Sequence, residues 1–266
     1  MIKNLQIEWM KIKNYRVFQV FSILYLIGIL VIIYMFYRLY LKLTGRIMSM
    51  GNPNPKDGTD LFNLFSPDAI WKTVCFSTSF LLYLPGMVII NLFINEVNFK
   101  THRQNIIDGW KRETFIYTKI SLILCISAVV TIMNVIATFI MSQVTHNDFS
   151  LISGLDTLGL SFIQTFVYLM FALFLATIFR RSGVAIIVYF VYGLLLEFLF
   201  MWLFSLIIPG MQHFLPLQVV DSLLTSPKLG GIFTNNPGLA VLVPSALAFA
   251  GLYIYLTVRK YRYDDL

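Results

Sequence analysis

The stretch Glu96–Lys119, EVNFKTHRQNIIDGWKRETFIYTK, is a polar, helix-forming island between two runs of more than twenty residues that carry no charge. Thr101, followed three positions later by Gln104, has the form of a capping box, in which each side chain satisfies an orphan amide of a first helical turn. Gly109 stands where a short helix needs a left-handed closing residue. Between them Ile106 and Ile107, with Trp110 beyond, make one side of the helix apolar, while Arg103, Lys111 and Arg112 keep the other side wet. The pattern predicts a two-turn helix, about 101–109, resting at a membrane surface.

The composition around the island fixes the class. The 266 residues are 58% hydrophobic and 12% charged, with 24 Phe and 14 Tyr. A soluble domain carries roughly 25% charged residues, and no soluble fold of this size buries so much apolar surface. The chain reads as an all-α integral membrane protein. Both cysteines, Cys75 and Cys125, fall inside apolar runs, without the setting of a disulfide or the spacing of a metal site. The net charge of +7 bears on topology here, and not on nucleic acid.

Outward from the island, six runs are long enough to span a bilayer: about 17–37, 73–95, 118–143, 157–179, 183–208 and 237–258. Pro85-Gly86 lies inside the second and predicts a kink, because proline removes an intrahelical hydrogen bond. Residues 2–17 read as an interfacial amphipathic helix, with Ile2, Leu5, Trp9 and Ile12 at helical spacing and Lys3, Asn4, Lys11 and Asn14 on other faces. Residues 38–70 read as a loop centred on GNPNPKDG. Residues 209–236, broken by Pro209, Pro216 and Pro227, hold apolar stretches too short to cross, the pattern of an external re-entrant segment.

Six spans put both termini on one side. The N-terminal segment, the island, Arg180-Arg181 and the C-terminal RKYRYDDL carry fourteen of the 20 basic residues. The positive-inside rule therefore predicts N-in and C-in, with the island in the cytoplasm.

Several chemistries have no foothold. There is no G-x-x-x-x-G-K-[ST], so the chain has no P-loop with which to hydrolyse nucleotide; H-E-x-x-H and G-x-S-x-G are absent too. His102, His146 and His213 are scattered through loops and read as surface residues. Glu197 is the one carboxylate well inside a span. It reads either as an ion-sensitive group on a translocation path or as a structural hydrogen-bond partner of a neighbouring helix. Asn91, Asn134, Gln143 and Gln164 read as interhelical hydrogen-bonding groups, and Ala240, Ser245, Ala248 and Gly251 as a close-packing face of the last span.

The order of parts, and the residues Glu96, Thr101, Gly109, Arg112, Phe115 and Lys119 within the island, resemble the permease subunit of an ABC-2 type transporter. The Glu8/Lys11/Lys13 pattern of the first helix and the segment between spans five and six are similar to that family as well. The sequence departs from the family's commonest form in placing Asn105-Ile106-Ile107-Asp108 before Gly109, where many members carry a Leu-rich stretch. The resemblance implies that the island is a coupling helix docking into a cleft on a cytosolic ABC ATPase present in two copies. Ile106, Ile107 and Trp110 would be its apolar anchors, Arg103 and Arg112 its rim charges, and Glu96, Thr101, Gln104 and Gly109 would shape it. It implies a second permease subunit, identical or homologous, and a bacterial inner membrane. This chain would bind no cofactor; ATP and magnesium would belong to the ATPase. The resulting expectation is an efflux subunit, not itself an enzyme. The alternatives are a sensor or scaffold whose island binds a regulator, an interfacial helix that touches only lipid, or an ion-coupled transporter using Glu197.

Overall fold

The computed structural model describes residues 2–49, 63–67, 69–101, 112–146, 149–207, 210–224 and 237–263. Helices α1 (Ile2–Lys13) and α2 (Arg16–Ser49) are followed by a composite α3 (Ile70–Asn98). Next come α4 (Arg112–Val144), α5 (Leu155–Phe179), α6 (Ser182–Ile207), a short α7 (Gln218–Asp221) and α8 (Leu239–Tyr263). No strand occurs among the described residues. Six of these helices, α2 to α6 and α8, are long and apolar enough to cross a membrane, which makes this a multi-pass membrane protein.

Three helices run well past the ends that hydropathy sets. The first spanning helix does not stop at residue 37 but runs on to Ser49, taking twelve residues of the expected loop. Likewise α4 begins at Arg112 and α8 reaches Tyr263. Hydropathy marks the thickness of the oil, whereas the backbone keeps its hydrogen-bond ladder through amphipathic turns beyond it. In α2 those turns expose Arg38 and Lys42 and half-bury Tyr40, Leu43 and Thr44. The first helix ends at Lys13 instead of 17, and α2 starts at Arg16.

The centre of the bundle is α5, which packs against α3, α4, α6 and α8. In its most apolar stretch 67% of residues are buried, against 17% for α2. Lipid tails are as apolar as leucine, so this burial stabilises through close packing and interhelical hydrogen bonds more than through removal from solvent. Asn134 donates to the Ser161 hydroxyl at 2.8 Å and joins α4 to α5, as its residue type suggests. Asn91 instead donates to Met87 in its own helix, and Gln143 is exposed. In α8 the packed face is Leu242, Ala246, Ala250 and Tyr253; Ala240, Ala248 and Gly251, expected to pack, are exposed.

The α3–α6 contact is built from two tyrosines and two glycines. A Cβ on Gly86 of α3 would overlap the Tyr189 ring of α6, and one on Gly193 of α6 would overlap the Tyr83 ring of α3. Each ring thus lies in the notch left by a missing side chain on the facing helix. Tyr83 also stacks on Phe190 at 5.1 Å. Two irregular turns serve this contact. A 3-10 turn at Phe80–Leu82 precedes Pro85, which lacks the N–H that Leu81 would otherwise receive. A π turn at Tyr192–Leu196 carries Gly193. Gly86→Leu is expected to destabilise the bundle by about 1–3 kcal/mol or more through overpacking, read as a lower thermal midpoint of the purified protein. Gly45→Leu, in open space, is expected to leave the midpoint unchanged.

Candidate functional site

The candidate site is a buried ionic joint that gathers α1, the end of α3 and the start of α4. Glu8 sits on the buried side of α1 beside Ile12, Glu96 in the last turn of α3, and Lys119 two turns into α4. The Lys119 ammonium bonds the Glu8 carboxylate and, at 2.6 Å, Glu96 Oε1. Lys11 approaches the other oxygen of Glu8 at 3.3 Å. The side chains of Lys119, Glu8 and Glu96 are 4%, 1% and 13% exposed, so solvent screens this pairing weakly.

Two carboxylates against Lys119 alone would leave an uncompensated negative charge. Lys11, at the edge, makes the count even among the described residues. The Lys119 ammonium also lies 5.2 Å from the centroid of Phe115, one turn earlier on α4. Phe115 in turn stacks on Tyr261 of α8 at 5.3 Å, which ties the C-terminal helix to the same point. Asn95, next to Glu96, donates to the Tyr15 hydroxyl at the α1–α2 junction. Burial raises the Tyr15 phenol above its ordinary range, and the bond from Asn95 pulls the other way.

Of the residues singled out in the island, Glu96, Phe115 and Lys119 converge here. The Thr101 hydroxyl donates to the Glu96 carbonyl at 3.2 Å, closing the turn after α3. The left-handed residue at this helix end is Lys100, with φ 55. Arg103, Gln104, Ile106, Ile107, Gly109 and Trp110 lie outside the described residues, as does the Arg112 side chain. The helix expected over 101–109 lies outside them as well, apart from Thr101. Glu8 belongs to the site although only its place in a charge pattern had marked it.

A second polar cluster lies between α5, α6 and the segment that follows. Glu197, 3% exposed, accepts the backbone N–H groups of Leu217 and Gln218, both at 2.6 Å. It caps the first turn of α7 from another helix. Tyr168 donates to both Asp221 oxygens at 2.8 Å, and Gln164 donates to one of them at 2.9 Å. Glu197 lies ten residues before the end of α6, about 15 Å along the helix axis, so the segment dips deep along the bundle. It consists of a 3-10 turn at Met211–Phe214, α7, and another 3-10 turn at Ser222–Leu224; residues 225–236 lie outside the described residues. His213, read as a surface residue, is fully buried within it, its Nδ1 3.0 Å from the Ser222 hydroxyl. Sequence position alone placed His213 wrongly because the segment folds inward. Glu197 thus holds the segment in place.

Neither a curated protein nor a solved structure matches this chain. A family model described as a protein of unknown function (DUF2705) matches residues 56–259. That range includes Glu96, Lys119, Glu197 and Asp221. With most of its length matched, the chain belongs to the DUF2705 family.

Proposed function

We propose that this chain is the membrane subunit of an ATP-binding cassette exporter, oriented N-in and C-in in a bacterial inner membrane. It works as a dimer of permeases with two copies of a cytosolic ATPase. The observation that carries the reading is the Glu8–Lys119–Glu96 network. Glu96 and Lys119 bracket residues 101–112, the expected coupling helix, and Glu8 fastens α1 to both. A push on that helix from an ATPase would reach α3, α4 and α1 together, because the ion pairs, Thr101 and the Phe115–Tyr261 stack make their ends one body. Ile106, Ile107 and Trp110 supply the apolar anchors, with Arg103 and Arg112 at the rim. ATP and magnesium bind the ATPase. The resemblance in Glu96, Thr101, Gly109, Arg112, Phe115 and Lys119 supports the same reading.

The test is to purify the full-length chain from native membranes and assay the complex for ATP hydrolysis. A P-loop ATPase is expected in equimolar amount. Ile106→Asp, Ile107→Asp and Trp110→Asp together are expected to lower its recovery and the associated turnover at least tenfold. Recovery without any such ATPase, or undiminished turnover in the triple variant, overturns the assignment.

A further inference from the structure

A narrow apolar groove opens on the bundle surface between α2, α3 and α4. Its walls include Trp9, Phe18, Tyr25, Pro85, Leu122 and Met133, and its volume is about 200 Å³. Compact drug-sized ligands occupy pockets of roughly 300–1,000 Å³, so this one suits a slender occupant. Its length is informative. From Leu122 to Met133 the wall follows eleven residues of one helix, about 16 Å at 1.5 Å per residue. Half of a hydrocarbon core about 30 Å thick is 15 Å. The groove is therefore as long as one leaflet is deep, the reach of one acyl chain. It opens sideways: Val129 is 51% exposed, and Cys125 is exposed as well.

The mouth of the groove carries charge. Trp9 and Phe18 meet edge to face at 6.3 Å and frame the upper end. The chain between them turns from α1 into α2 and presents Lys13 and Arg16, both exposed. Neither has an acidic partner among the described residues, whereas Lys11 on the other side of α1 is paired with Glu8. A slender apolar slot one leaflet deep, beneath two free cations and an interfacial tryptophan, is complementary to a lipid with an anionic headgroup.

We propose that this groove holds one acyl chain of an anionic phospholipid, with Lys13 and Arg16 contacting its phosphate. The lipid is a resident ligand, and the inference stands independently of ATPase coupling. It also places the lipid against the ionic joint, because Trp9 follows Glu8 in α1 and Leu122 lies three residues past Lys119 in α4. An occupied groove fastens α1 from the membrane side, as Glu8 does from within.

The test uses full-length protein exchanged into mixed phosphatidylglycerol and phosphatidylcholine. Native mass spectrometry is expected to show one phosphatidylglycerol retained with roughly thirtyfold preference, the ratio given by two basic residues at about 1 kcal/mol each. The exposed pair Lys13→Glu, Arg16→Glu is expected to abolish that preference. Separately, phosphatidylglycerol with a photoactivatable acyl chain is expected to label wild-type peptides covering 18–26 and 122–133. Equal retention of the two lipids by the wild type, or label spread evenly over α6 and α8, overturns the proposal. So does a Cys125–Cys125 dimer formed by mild oxidation in native membranes, which would put a second copy of this chain over the groove.

Discussion

Replacing Lys119 with methionine is expected to destabilise the protein by about 3–5 kcal/mol, the usual cost of leaving a buried charge without its partner. The thermal midpoint of the purified protein should fall by on the order of 10 °C. The cause is not the loss of one attractive contact. Glu8 and Glu96 would face each other with the peripheral Lys11 left, among the described residues, to compensate, and neither could turn to water without unpacking α1 or the end of α3. The sharper measurement is the triple variant Glu8→Gln, Glu96→Gln, Lys119→Met. With the three buried charges neutralised and Lys11 free to turn to water, most of the lost midpoint should return, since apolar or neutral replacements of a buried ionic group are often tolerated. A single variant as stable as the wild type would mean that the joint does not hold α1. A triple variant worse than the single one would mean that shape, not charge, holds it.

The second large effect is expected at Glu197. Its carboxyl group receives two backbone N–H groups, and a buried donor left without its acceptor costs about 1–3 kcal/mol. Glu197→Ala leaves both amides buried without an acceptor, so about 3 kcal/mol or more should be lost, concentrated in the segment after α6. Glu197→Gln keeps a carbonyl at the same place and should lose about a third as much. A reporter cysteine at Leu223, 5% exposed in the folded protein, should stay protected from a soluble maleimide in the wild-type and Gln backgrounds and react in the Ala background. An ion-coupled role predicts otherwise: Gln would disable transport as fully as Ala. Labelling and transport that split Gln from Ala would identify a latch, and transport lost equally in both would restore the carrier reading.

Much of the architecture was legible because membrane thickness writes itself into a chain. Apolar runs of twenty or more residues, charge-free except for Glu197 in the fifth, gave each spanning helix, and Pro85 marked the tightened turn in α3. The helix ends were less legible. Arg38 and Lys42 broke the apolar run while the backbone continued past them, so charge was read as an end of structure when it was only an end of oil. The candidate site divides in the same way. Glu96 and Lys119 stood out as polar residues beside apolar spans. The bond that adds Glu8 to that pair reaches across 111 residues to Lys119, which no local pattern encodes. The partners of Glu197 are backbone amides, invisible to any reading of side chains. Asp221 carried a usable signal, a lone acid among Val219, Val220, Leu223 and Leu224, and such an acid asks for donors like Tyr168 and Gln164.

The long reach of the Glu8–Lys119 pair also orders biosynthesis. Chains emerge N-terminus first, so α1 is made long before the residue that pins it. Until Lys119 leaves the ribosome, Glu8 has Lys11 for company, and the first helix lacks its ionic pin to α4. Lys119 arrives only after α2 and α3 have been synthesised. Closure of the joint therefore reports that the first two spanning helices have been made and that α4 has begun, and a chain stalled earlier leaves an open carboxylate where the finished protein has a sealed one.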